Sequence, residues 1–196
     1  MNAINVKIKR LHSDAVIPQY ATPGAAAFDL VAVEDVIIAP GETKKVPLGL
    51  AFEIPEGYVM IVAMRSGVAL KTNLRQPNGI GVIDSDYRGE VMMMFDNTHE
   101  KDLFIAGNQY GHSVLIPGAG KTYDISGRDA EIGDRVTGGY NLDGTYIIRK
   151  GDRVAQAFIL PIPRVNLVET DEELSETERG TGGFGHTGVT AEVSAN

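Results

Sequence analysis

Gly81-Val82-Ile83-Asp84-Ser85-Asp86-Tyr87-Arg88-Gly89-Glu90-Val91 is the stretch on which the reading of the chain turns. It sets two carboxylates, a phenol, a guanidinium and a third carboxylate between apolar runs, Val82 and Ile83 before and Val91 to Phe95 after. Asp, Ser and Gly favour turns, whereas Val, Ile, Met and Phe favour strands. The pattern therefore predicts a β-hairpin with charge at its tip or inner side. Carboxylates this close are costly to ionise together unless a cation or a positive substrate group offsets them. Taken alone, the same residues also read as a solvated polar turn.

Outward from this stretch, almost every periodic segment has period two. Ile4, Val6 and Ile8 alternate with Asn5, Lys7 and Lys9, predicting a half-buried first strand. Strands are expected at 27–33, 36–38, 44–54, 58–64, 91–95 and 153–160, with Pro47 marking an edge or a bulge. Only 66–74 offers a helix, and a short one. Brief strands punctuated by Gly and Pro indicate an all-β sandwich or jelly roll.

At 196 residues the chain can bury a full core as one domain, and its 43% hydrophobic and 22% charged content is that of a soluble globular protein. No apolar run is long enough for a membrane helix, and the alternating, charged start is not a signal peptide. The absence of cysteine excludes disulfides, a thiolate nucleophile and Cys-based metal sites, and fits a cytoplasmic protein. A net charge of −8 argues against direct nucleic-acid binding. Such a protein can hold a small polyphosphate only through clustered Arg, Lys and backbone N–H groups, helped by a metal.

Two regions depart from the strand pattern. Residues 99–145 are Gly-rich and irregular, with short β-like runs at 113–116 and just beyond at 146–148, and read as a functional excursion or a small subdomain. From Glu169 the chain is acidic, then Gly-rich, then ends in small residues, the composition of a mobile arm. The expected organisation is a β core over 1–168, the excursion within it, and an arm over 169–196.

Several motifs carry candidate chemistry. Gly118-Ala119-Gly120-Lys121-Thr122 is not a phosphate loop, since Leu115 stands where the first Gly is needed and no helix is predicted to follow. Arg65-Ser66-Gly67 opens the one helical turn, where Ser66 either caps the helix or joins Arg65 in holding an anion. Arg179-Gly180-Thr181-Gly182-Gly183-Phe184-Gly185-His186-Thr187-Gly188 combines five glycines, which let the backbone approach an anion, with donors at Arg179, His186 and Thr187. Its one aromatic, Phe184, either anchors the arm or stacks on a flat ligand. Asp29 and Gln156 each lie in a strand and read either as ordinary hydrogen-bonded residues or as ligand-facing ones. His12, His99 and His112 show no metal-site spacing.

With these stretches in hand, the chain resembles the trimeric dUTP pyrophosphatases, or dUTPases. Ala25-Ala26-Ala27-Phe28-Asp29-Leu30 is similar to the family's first motif, with Ala27 where Gly is usual; Met64-Arg65-Ser66-Gly67-Val68-Ala69 resembles the second. Residues 78–91 match the third almost throughout, Gly151-Asp152-Arg153-Val154-Ala155-Gln156 resembles the fourth, and 179–188 the fifth.

The resemblance implies a jelly-roll or distorted-barrel protomer, a homotrimer with active sites built from several chains, and Mg2+-dependent hydrolysis of dUTP to dUMP and pyrophosphate. It implies Asp84 as general base, expected to lie in a buried carboxylate cluster, and Asp29 as holder of metal-bound waters. Asn78, Gly81 and Ile83 would read the uracil edge, and Tyr87 would lie under the deoxyribose. Arg65, Ser66, Gly67, Gln156, Arg179, Gly185, His186 and Thr187 would bind phosphates, with Phe184 on the uracil.

Two departures qualify the match. His186 replaces the usual Ser, which makes its donation pH-dependent. Asp84 and Gln156 are 156 − 84 = 72 positions apart, far more than in compact members. An insert at 99–145 resembles those of some bacteriophage members and implies phage origin, a bacterial host cytoplasm, and service to a regulatory protein partner or to a neighbouring active site and not to core catalysis. The alternatives on the same fold are a dCTP deaminase, alone or bifunctional, and a nucleotide-controlled regulator-binding protein.

Overall fold

The computed structural model describes residues 3–100, 103–107, 113–117, 120–131, 143–184 and 186. In chain order its elements are β1 (Lys7–Arg10), β2 (Phe28–Val31), β3 (Val36–Ile38), β4 (Thr43–Glu53), β5 (Tyr58–Met64), α1 (Ser66–Lys71), β6 (Leu74–Arg75) and β7 (Gly81–Ile83). These are followed by β8 (Val91–Asn97), β9 (Leu103–Gly107), β10 (Ser113–Pro117), β11 (Thr122–Asp124), β12 (Thr145–Ile148) and β13 (Arg153–Pro161). The chain divides into two compact units, Met1–Pro163 and Arg164–Asn196.

Alternation drives the layering. In β8, Val91, Met93 and Phe95 are buried while Met92 is exposed, as period two requires. Two four-stranded sheets, ordered β1-β4-β8-β6 and β2-β13-β5-β7, turn such faces inward. Val46, Leu50, Met93 and Phe95 of the first share one core with Leu30, Val62, Ala155 and Ala157 of the second. The result is the expected all-β jelly-roll layering; the sheets do not close into a barrel.

The expected hairpin at 81–91 does not form. β7 pairs with β5, whereas β8 pairs with β4 and β6, so the stretch crosses from one sheet to the other. Apolar runs on both sides predict two strands but not their partners, and here each strand is claimed by a different layer of the core. The crossing is held locally: Tyr87 N–H donates to Asp84 O (3.2 Å), and the Arg88 guanidinium donates to the carbonyls of Ser85 (2.7 Å) and Tyr87 (2.9 Å).

Pro47 does mark a bulge, with the β4–β8 register shifting between Pro47 and Leu50, but β4 is a central strand between β1 and β8. The proline lacks the N–H a regular ladder needs, and the bulge absorbs that lack.

Within 99–145 the described residues fall into two groups. β9 and β10 pair antiparallel as a two-stranded sheet of their own. By contrast, β11 runs parallel to β12, which pairs antiparallel with β3, and Thr122 and all of β12 are buried. Asn97 Nδ2 secures this join by donating to Ile38 O and Gly144 O, both at 2.9 Å. Among the described residues no helix is long and apolar enough to cross a membrane.

Candidate active site

Asp29, Gln156 and Ala63 stand opposite one another across β2, β13 and β5. The neighbours of Asp29 in β2, Phe28 and Leu30, point into the core, so the carboxylate is left on the outer face. Arg65, two residues beyond Ala63, reaches the same face: its Nε lies 3.0 Å from Asp29 Oδ1. Arg153 Nη1 approaches the other oxygen at 3.5 Å. Gln156 Nε2 donates to Met64 O at 3.4 Å. Asp29, Arg65, Ser66, Gly67 and Gln156 line one concavity of about 500 Å³. Arg65, not Ser66, occupies the cap position of α1, and no side-chain cap hydrogen bond is made there.

The stretch that includes Asn78, Gly81, Ile83, Asp84 and Tyr87 lies elsewhere. Asn78 sits in a turn whose Gly79 takes φ +70°, and a Cβ on Gly81 would lie 3.2 Å from Val62 Cβ, so β7 packs tightly on β5. Tyr87 OH donates to Glu90 O at 3.0 Å, which fixes a half-exposed ring. The carboxylate cluster is not buried: Asp84 and Asp86 are both exposed. The crossing faces outward, and no described part of its own unit covers it. Glu90 leaves the cluster altogether, accepting from Gly49 N at 2.7 Å.

Register separates the two groups. Ile83 pairs with Met60, which puts Asp84 level with Val59, six residues from Arg65 along β5. At about 3.3 Å per residue the two are roughly 20 Å apart.

In the second unit, Arg179 Nε donates to Gly182 O (2.9 Å) and Gly180 N to Thr177 Oγ1 (3.0 Å). Phe184 is fully exposed with φ +43°, a left-handed backbone uncommon for an aromatic, and His186 N donates to Gly183 O at 3.1 Å. Gly185 and Thr187 lie outside the described residues.

Sequence reasoning missed three residues. Gln76 Oε1 accepts from Met64 N (2.9 Å) and its Nε2 donates to Val62 O (3.1 Å), continuing the β5 ladder where β7 stops. Nothing in Arg75-Gln76-Pro77-Asn78 announces this, since a side chain imitating a strand has no periodicity. Arg153 stood inside a noted motif, and only the β2–β13 pairing reveals its partner. Asp152 enters β13 with its carboxylate accepting from Arg149 N (2.8 Å); burial pushes its carboxyl up, aided by the charges of Asp124 and Asp35 and opposed by Arg149.

Among the described residues no three His, Asp or Glu side chains converge on a metal site. Asp29, already braced by two guanidiniums, suits an outer-sphere role toward a small cation carried largely by phosphate oxygens and water, the usual habit of Mg2+.

The all-β sandwich thus carries an anion-suited sheet face and, apart from it, an exposed carboxylate turn. The dUTPase family model matches residues 13–110. The Deoxyuridine 5'-triphosphate nucleotidohydrolase of Nautilia profundicola is 39% identical over 185 residues, covering 94% of this chain and 99% of that protein. Among solved structures, the Staphylococcus bacteriophage 80alpha dUTPase with dUPNHPP aligns with a TM-score of 0.78 at 32% identity, covering 95% of this chain and 100% of that one. It was solved in work on phage dUTPases that control transfer of virulence genes by a G protein-like mechanism. A mutant dUTPase from phage phi11 of S. aureus, solved for its coordination of a structural Mg(II) ion, aligns at 0.69 with 27% identity over 86% of this chain and 98% of that one. The chain belongs to the dUTPase family.

Proposed function

We propose that the protein hydrolyses dUTP to dUMP and pyrophosphate as a homotrimer, which limits uracil incorporation into DNA and supplies dUMP for dTMP synthesis. The observation that carries the reading is the placement of Arg65, Ser66, Gly67 and Gln156 around one concavity, with Asp84 about 20 Å away by the register of β7 on β5. A general base must lie within hydrogen-bond reach of the water it activates. One chain cannot offer both groups to one triphosphate, so the phosphate groups of one protomer serve the Asp84 turn of another.

In this scheme Asp84 takes a proton from the water that attacks the α-phosphorus. The new P–O bond forms as the bond to the bridging oxygen breaks, and the electron pair leaves with pyrophosphate. Arg65, Ser66, Gly67 and Gln156 hold the phosphate oxygens, joined by Arg179, Gly185, His186 and Thr187 of the arm. Asp29 would hold waters of a Mg2+ ion, whose chemistry is to neutralise charge on the leaving group. Asn78 and the Gly81 and Ile83 backbone read the uracil edge. The Tyr87 ring, tied down through its hydroxyl, lies under the deoxyribose, and Phe184 stacks on the base.

Incubation of purified protein with dUTP and Mg2+ should release pyrophosphate; none released overturns the reading. The shared site has its own test. Asp84→Asn and Arg65→Ala chains, each inactive alone, should regain activity when unfolded together and refolded into mixed trimers. Verified mixed trimers without activity would place both groups in one chain's site.

The regulatory reading attaches to the 99–145 segment. The β9–β10 pair, standing as its own sheet, is the element we assign to a protein partner, as the phage work on a related dUTPase invites. Retention of a partner on the full protein and not on a variant with 103–117 replaced would support it.

A further inference from the structure

The concavity around Arg65 has a second wall that the reaction scheme leaves unused. It is made by Lys71, in the last turn of α1, and by Ile125 and Ser126. Ile125 and Ser126 belong to the stretch between β10 and β12, which sequence reasoning treats as an excursion from the catalytic fold. Gly127, at φ +76°, lies so close to α1 that a Cβ there would stand 2.4 Å from the Lys71 carbonyl oxygen. This is backbone against backbone, and a side chain is excluded.

The 124–128 turn is firmly built. The Asp124 carboxylate accepts from Ser126 N (2.8 Å), Ser126 Oγ (2.7 Å) and Arg128 N (3.0 Å). Burial works against its charge, yet these hydrogen bonds prevail and hold the carboxyl below its ordinary range. β11, from which the turn springs, is paired to buried β12. The wall is therefore anchored to the core.

Charge identifies its use. Arg65 and Arg153 both share Asp29, so part of their charge is already met. Lys71 is exposed and pairs with no described carboxylate. It is the lining cation still available to an anion. The Ser126 hydroxyl donates its hydrogen bond to Asp124, so its oxygen has only lone pairs left to offer, which suit an ammonium and not a phosphate.

We propose that Lys71 is a further phosphate-binding residue, directed at the β- and γ-phosphates, and that the 124–128 turn fixes its position, so that the inserted stretch takes part in nucleotide binding. The proposal rests on the triphosphate reading of the concavity given above.

Calorimetric titration of the full trimer with a non-hydrolysable dUTP analogue and, separately, with dUMP tests it. Lys71→Met should weaken the analogue about tenfold or more, as expected for loss of a charge-assisted contact, while dUMP affinity stays at the wild-type value. Gly127→Ala should weaken the analogue as well, and the double variant should be no worse than Lys71→Met alone. Unchanged analogue affinity in Lys71→Met, or equal losses for analogue and dUMP, overturns the phosphate role. Additive losses in the double variant overturn the positioning role of the turn. Wild-type protein that fails to bind the analogue overturns the triphosphate reading itself. Lys71 is exposed, so its substitution leaves the fold intact to be measured.

Discussion

The carboxylate of Glu90 accepts a hydrogen bond from the backbone N–H of Gly49 at 2.7 Å, tying the crossing between the sheets to the bulge in β4. Gly49 takes φ +65°, and a Cβ there would lie 2.9 Å from His12 Cβ and from Val33 Cγ1. The third carboxylate of the charged stretch is thus a structural brace. Glu90→Ala should cost about 1–3 kcal/mol by leaving a half-buried N–H unpaired. Gly49→Ala should cost more, since it adds overlap to an unfavourable backbone. Urea unfolding of the two variants ranks them; equal stability with wild type would remove the brace.

Asp84→Asn should keep dUTP binding and lose activity by a factor of about 10²–10⁴, because the shape remains and the proton acceptor does not. Single-turnover kinetics beside analogue titration separates the two quantities. A variant with near-normal turnover would point to another base.

Gln76→Leu leaves Met64 N and Val62 O without partners, at about 1–3 kcal/mol each. Gln76→Glu is the sharper test. Its carboxylate still accepts from Met64 N but faces the Val62 carbonyl oxygen at neutral pH, whereas the protonated form can donate to it. The stability deficit of Gln76→Glu should therefore shrink as pH falls, and that of Gln76→Leu should not.

Asp152 carries the opposite pH signature from a paired surface carboxylate. Burial raises its folded-state pKa, so in the window just above the ordinary carboxylate range the folded chain holds more protons than the unfolded one, and stability falls as pH rises. Asp152→Asn keeps an acceptor for Arg149 N without the charge. Denaturation from about pH 3 to pH 7 should show the two proteins converging at the acid end and the variant gaining above it. A constant difference across that range would contradict the assignment.

Phe184→Ala should weaken binding of a dUTP analogue by about 1–3 kcal/mol through loss of base stacking. Unchanged affinity would mean that the arm does not reach the base.

Much of the fold was legible because burial writes itself into alternation. Val91, Met93 and Phe95, or Phe28 and Leu30, declare an inner face before any partner is known. Partnership itself is not local, which is why residues 81–91 look like a hairpin and are a crossing. The resemblance to the family's motifs singled out Asp29, Arg65 and Gln156, and the sheet register brings them together. Register also shows what spacing cannot, that Asp84 lies far from them. Gln76 and Ser126 left no trace in the sequence, since each acts by meeting backbone or a neighbour brought close only by folding.

Thr122 and Thr145 sit opposite each other in the parallel β11–β12 pair, so the excursion between them leaves and returns through one clasp. A stretch whose ends are already joined can change length cheaply, each doubling of a flexible loop costing only about 0.6 kcal/mol. The sheets that carry the site are thereby held together independently of what the excursion does.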